Sequence, residues 1–78
     1  PDVRRDRGMA LLRTGRLDAA IADFDAALSQ HRYDALTLYG RGLARQRKGD
    51  AGGGAADIAA AKELDGRIDT RLGDYGLR

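Results

Sequence analysis

The chain contains no cysteine, which excludes disulfides and thiolate metal sites and leaves its redox compartment open. It has a single histidine, His31, so a histidine-based metal cluster cannot be built. Aromatic residues make up 5% of the chain, with no tryptophan, and none are interleaved with basic residues as a base-stacking surface would require. Valine and isoleucine are also few, which argues against a sheet. No apolar run approaches the length needed to span a membrane, and no signal-peptide pattern is present. The sequence opens on Pro1 rather than methionine, as expected of a processed or excised piece of a longer protein.

The 78 residues that are there suit one small domain, near the size where a single core becomes marginal. An apolar fraction of 42% beside a charged fraction of 33% fits a folded chain, and the dominance of alanine and leucine favours helices. The net charge of +2 is too small to argue for nucleic acid. Its distribution says more. Residues 1–16 hold five arginines against two aspartates, and residues 17–34 one arginine against four aspartates. Residues 35–51 then carry four basic groups against one acidic group, and residues 52–65 one against three.

A shift of 34 residues superimposes the sequence on itself. Arg7-Gly8 falls on Arg41-Gly42, Ala10 on Ala44, Arg13 on Arg47 and Gly15 on Gly49. Ala22-Asp23 falls on Ala56-Asp57, and Ala26-Ala27 on Ala60-Ala61. A third copy opens at Asp69, with Leu72 on Leu38 and Gly76 on Gly42. Each unit reads as two helices. Leu17, Ala20, Ile21, Phe24, Ala27 and Leu28 form one apolar stripe at helical spacing. The preceding helix closes at Gly15, a residue that accepts the left-handed conformation of a helix end. In the second unit, Leu36, Tyr39 and Leu43 mark a helix over 35–48. Gly49-Asp50 make the turn, with Asp50 as N-cap, and Ala55, Ile58 and Ala61 mark a helix over 51–64.

Two helices in 34 residues with this pattern resemble the tetratricopeptide repeat (TPR) family. The resemblance covers essentially the whole chain. Gly8, Gly15, Ala20, Phe24 and Ala27 match its packing positions in the first repeat, and Gly42, Gly49, Ile58 and Ala61 in the second. The stretch AIADFDAAL is close to common versions of the second TPR helix. The usual proline after that helix is replaced by Arg32 and Gly66, and Arg4 and Arg45 occupy customary apolar positions. The resemblance implies an all-α solenoid: repeat 1 over 1–34, repeat 2 over 35–68 and a closing helix over 69–78. Leu72 and Tyr75 of that closing helix are expected to pack on the helices of the second repeat. Such a closing helix is found at the C-terminus of some bacterial TPR proteins.

The run Gly52-Gly53-Gly54 lacks the Lys and Ser or Thr that a phosphate loop needs, and the repeat register passes through it undisturbed. Gly54 falls at a close-contact position, whereas Gly52 and Gly53 have no evident packing role and weaken the helix start. Asp23 and Asp57 recur at one repeat position, which reads as a solvated helix face. Asp18 and Asp25 have no histidine or lysine nearby to tune them, and Ser29 and Thr70 have no base. No catalysis, cofactor or metal is expected. In TPR arrays the first helix of each repeat lines a concave groove. The resemblance therefore implies a groove of Arg5, Met9, Leu12, Arg13, Tyr39, Leu43, Gln46, Arg47 and Thr70. An apolar floor with a basic rim suits an acidic peptide or protein segment. The carboxylate clamp of co-chaperone TPR domains is not expected. Its positions hold Arg5, Met9, Gly40, Thr70 and Asp74, of which Arg5 alone keeps suitable chemistry. The alternative is self-association through the first helix; nucleic-acid binding through the basic helices has thinner support.

Overall fold

The computed structural model describes residues 3–73, and the expected contacts of Tyr75, like Asp74 and Gly76, lie outside that range. The fold is all-α. Helix α1 (Val3–Arg13) is followed by α2 (Leu17–Gln30), α3 (Ala35–Lys48), α4 (Ala51–Leu64) and the short α5 (Ile68–Gly73). Connections of two to four residues pack α1 on α2, α2 on α3 and α3 on α4 as hairpins. The elements α1/α2 and α3/α4 recur at the 34-residue spacing. Helix α5 begins at Ile68, one residue ahead of the expected boundary.

The turns from α1 to α2 and from α3 to α4 are built by the same local chemistry. At the end of α1, the amide of Gly15 donates to the Leu12 carbonyl at 3.1 Å and that of Arg16 to Leu11 at 2.9 Å. Thirty-four residues on, Gly49 donates to Gln46 at 3.1 Å and Asp50 to Arg45 at 2.8 Å. These paired bonds satisfy carbonyls that the helix end leaves open, and they need a left-handed residue between them. Gly15 and Gly49 supply it, with φ of 81° and 107°. The starts of α3 and α4 are capped by aspartates. Asp34 accepts from the Leu36 amide at 3.2 Å and the Thr37 hydroxyl at 2.7 Å, and Asp50 accepts from the Gly53 amide at 2.9 Å.

The core centres on Phe24, which is fully buried where α1, α2 and α3 meet. A Cβ at Gly8 or Gly40 would lie 2.7 Å from its ring, so the absent side chains on α1 and α3 create the space the ring fills. Helix α2 buries Ala20, Asp23, Phe24 and Ala27; α4 buries Gly54, Asp57 and Ala61 at three of the equivalent positions. Between α3 and α4 the backbones themselves touch, since a Cβ at Gly54 would lie 2.6 Å from the Gly42 carbonyl oxygen. Ile68 and Leu72 of α5 are buried and close the far side of α3. Leu72 was expected there; Ile68 was not among the residues the sequence singled out. Helix α3 touches α1 and α5 as well as α2 and α4, so the first helix of each hairpin is in contact with the next.

Candidate partner-binding surface

Of the nine residues expected to form a groove, Met9 and Leu12 do not reach the surface. They are 2% and 0% exposed and belong to the core, on the face of α1 that α2 and α3 cover together. The other seven remain at least partly accessible. Arg13 is exposed in the last turn of α1, while Gln46 and Arg47 are exposed in the last turn of α3. Leu43 and Tyr39 lie half-buried one and two turns earlier on α3, and Thr70 is exposed on α5. Burial, followed by the neighbouring Asp69 carboxylate, holds the Tyr39 hydroxyl above its usual pKa range. Arg5, at the start of α1, donates to Asp34 at 3.2 Å.

The arrangement brings the Arg47 guanidinium to the end of α1. Arg47 reaches across from α3 and donates from Nη1 to the carbonyl of Leu12, the residue before Arg13 in the last turn of α1, at 3.3 Å. Neither Arg13 nor Arg47 has a carboxylate partner among the described residues. Both sit at helix C-termini, where the dipole favours a cation.

Most other arginines of the basic helices are neutralised inside the fold. Arg7 grips Asp23 through two bonds of 2.6 and 2.7 Å. Arg41 grips Asp57 through two bonds of 2.9 Å, 34 residues further on. Arg45 adds a third bond to Asp57 at 2.9 Å, and Arg41 also reaches Asp25 on α2 at 2.9 Å. Bidentate pairing of this kind fixes the angle between two planar groups as well as their separation. Asp23 and Asp57 are therefore not on a solvated face: they are 7% and 6% exposed. The Arg7 hydrogen bonds hold the Asp23 carboxyl below its usual range against the opposing effect of burial. The Asp57 hydrogen bonds likewise raise the Arg41 guanidinium. A signal for these pairs was present in the sequence. Arginine and aspartate recur together at one 34-residue spacing, each arginine 16 residues before its partner.

Three shallow depressions lie elsewhere, around the α2–α3 connection. One of about 230 Å³ involves Val3, Arg4 and Gln30; another of about 550 Å³ spans residues 30–34. The third, about 460 Å³, is lined by Tyr33, Leu38 and Leu64 with Arg32 and Glu63. None of the nine expected groove residues lines any of the three. Among the described residues no three acidic or histidine side chains gather closely enough to hold a metal ion, and no helix is long and apolar enough to cross a membrane. No protein-family model, curated protein or solved structure matches the chain.

Proposed function

We propose that the chain is a TPR-type array of two repeats and a closing helix that binds an acidic peptide or protein segment and performs no catalysis. The observation that carries this reading is the selective neutralisation of the basic helices. Arg5, Arg7, Arg41 and Arg45 each meet an aspartate, whereas Arg13 and Arg47, in the last turns of the adjacent helices α1 and α3, form no ion pair among the described residues, as is also true of Arg4 at the start of α1. Exposed cations that the fold leaves unpaired favour an anionic partner. Tyr39 and Leu43 on the same helix supply the apolar floor, with Gln46 and Thr70 as polar flanks. This surface is smaller than the nine-residue groove expected from the sequence, because Met9 and Leu12 are enclosed and Arg5 is held by Asp34. The functional residues are Arg13, Arg47, Tyr39, Leu43, Gln46 and Thr70.

An array of fluorescent acidic peptides, read by anisotropy at low salt, tests the reading. Binding should weaken about tenfold or more in the Arg13→Glu/Arg47→Glu chain while its helical circular dichroism stays unchanged. It should also weaken with added salt, as expected of exposed charges screened over ~10 Å at 0.1 M. Equal binding by the wild-type and charge-reversed chains removes the groove from the account.

A further inference from the structure

The three largest exposed hydrophobic side chains among the described residues are Val3, Tyr33 and Leu64. They are not scattered. The depression at Val3 shares Gln30 with the one at residues 30–34, which shares Arg32 and Tyr33 with the one at Leu64. The three form a continuous band around the α2–α3 connection, reaching from the start of α1 to the end of α4. Its most apolar part has Tyr33 and Leu64, 75% and 47% exposed, over a floor of Leu38 and Ala60. Clustered exposure of this kind marks an interaction surface far more often than single exposed residues do.

The charges on that part of the band indicate what covers it. Arg32 comes from the α2–α3 connection and Glu63 from the last turn of α4. They line the same depression, yet they pair neither with each other nor with any other charged group among the described residues. An apolar floor bearing one cation and one anion is self-complementary. A two-fold axis through it sets Arg32 of one copy against Glu63 of the other, and Glu63 against Arg32, while Tyr33 and Leu64 of both copies meet. A uniformly basic or acidic rim would have selected a partner of the opposite sign instead.

We infer that the Tyr33–Leu64 surface is a self-association site, through which two copies form a weak symmetric dimer with reciprocal Arg32–Glu63 pairs. This surface differs from the Arg13–Arg47 face, so the two sites operate independently.

Sedimentation equilibrium from ~10 µM to ~1 mM reads the outcome. The wild-type mass should rise from the 8.4 kDa monomer towards twice that value. Tyr33→Ser/Leu64→Ser should weaken the dimer at least about tenfold with helical circular dichroism retained, since both side chains are already exposed. Arg32→Glu alone and Glu63→Arg alone should each weaken it, and the double exchange Arg32→Glu/Glu63→Arg should restore it, because both reciprocal pairs are re-formed with reversed sign. Arg13→Glu/Arg47→Glu should dimerise as the wild type does. A mass that stays at the monomer value throughout overturns the inference. So does a dimer indifferent to the Tyr33/Leu64 pair, a double exchange that fails to recover, or loss of the dimer when Arg13 and Arg47 are reversed.

Discussion

Asp57 holds two guanidinium groups at once, and both arginines are themselves mostly enclosed. Replacing it with asparagine removes the charge and turns an amide N–H2 towards donors that need an acceptor. A loss of about 2–4 kcal/mol is expected in urea denaturation. Asp23→Asn should cost less, about 1 kcal/mol, because Arg7 is largely exposed and water solvates it once released. Equal losses at the two positions would show that the second arginine on Asp57 contributes nothing. Asp34 adds a pH dependence. Burial pushes its carboxyl up, but the Thr37 and Arg5 hydrogen bonds outweigh burial and leave the pKa below its ordinary value. Asp23 and Asp65 are lowered too, by Arg7 and by the Arg67 amide respectively. A lowered folded-state pKa gives stability that is present above the unfolded value, about 3.9, and is lost as pH falls through the folded one. The urea midpoint should therefore hold steady from about pH 7 to pH 5 and drop below about pH 4, with a smaller drop in Asp34→Asn. A midpoint unchanged down to about pH 2.5 would contradict these assignments. The burial of Asp23 and Asp57 was not read from the sequence, because one carboxylate on a helix looks solvated until its arginine on the neighbouring helix is identified.

Helix α4 shows how differently three adjacent glycines can behave. A Cβ at Gly52 meets nothing within 4 Å, one at Gly53 strikes the Asp50 cap carboxylate, and one at Gly54 meets Gln46 and the Gly42 backbone. Gly52→Ala should stabilise the chain by about 1 kcal/mol through helix propensity alone. Gly54→Ala should destabilise it by about 1–3 kcal/mol, since α3 and α4 must separate. Thermal melts of the two variants should shift in opposite directions; shifts of the same sign would mean that the helix contact is looser than described. At this scale much was legible. The ranges 35–48 and 51–64, the glycine stops at Gly15 and Gly49 and the Asp50 cap each follow from local chemistry and appear as expected. The role of Gly52 was legible only as a missing reason, and the structure supplies none. Ile68 escaped notice because a six-residue helix carries too few turns to display a stripe.

Five helices within 28 × 27 × 23 Å leave little room for an extended groove. The compactness explains why Met9 and Leu12 turn inward: with α2 and α3 both leaning on α1, these two residues are consumed by the core. Sequence periodicity identifies an apolar stripe, but not whether a neighbouring helix covers it. Several charges at the surface, Arg4 and Arg16 among them, form no ion pair among the described residues, and two of the places they occupy carry the proposals. Arg13 and Arg47 lie in the last turns of α1 and α3; Arg32 and Glu63 flank the apolar patch at Tyr33 and Leu64. The proposed peptide-binding function concerns the first place alone. Amide chemical-shift mapping during titration with an acidic peptide tests it most directly, because it reports location as well as affinity. Shifts concentrated at Arg13, Leu43, Gln46 and Arg47, and abolished by Arg13→Glu/Arg47→Glu, are the predicted result. Shifts centred on Tyr33 and Leu64, or no saturable shifts at any site, would contradict it.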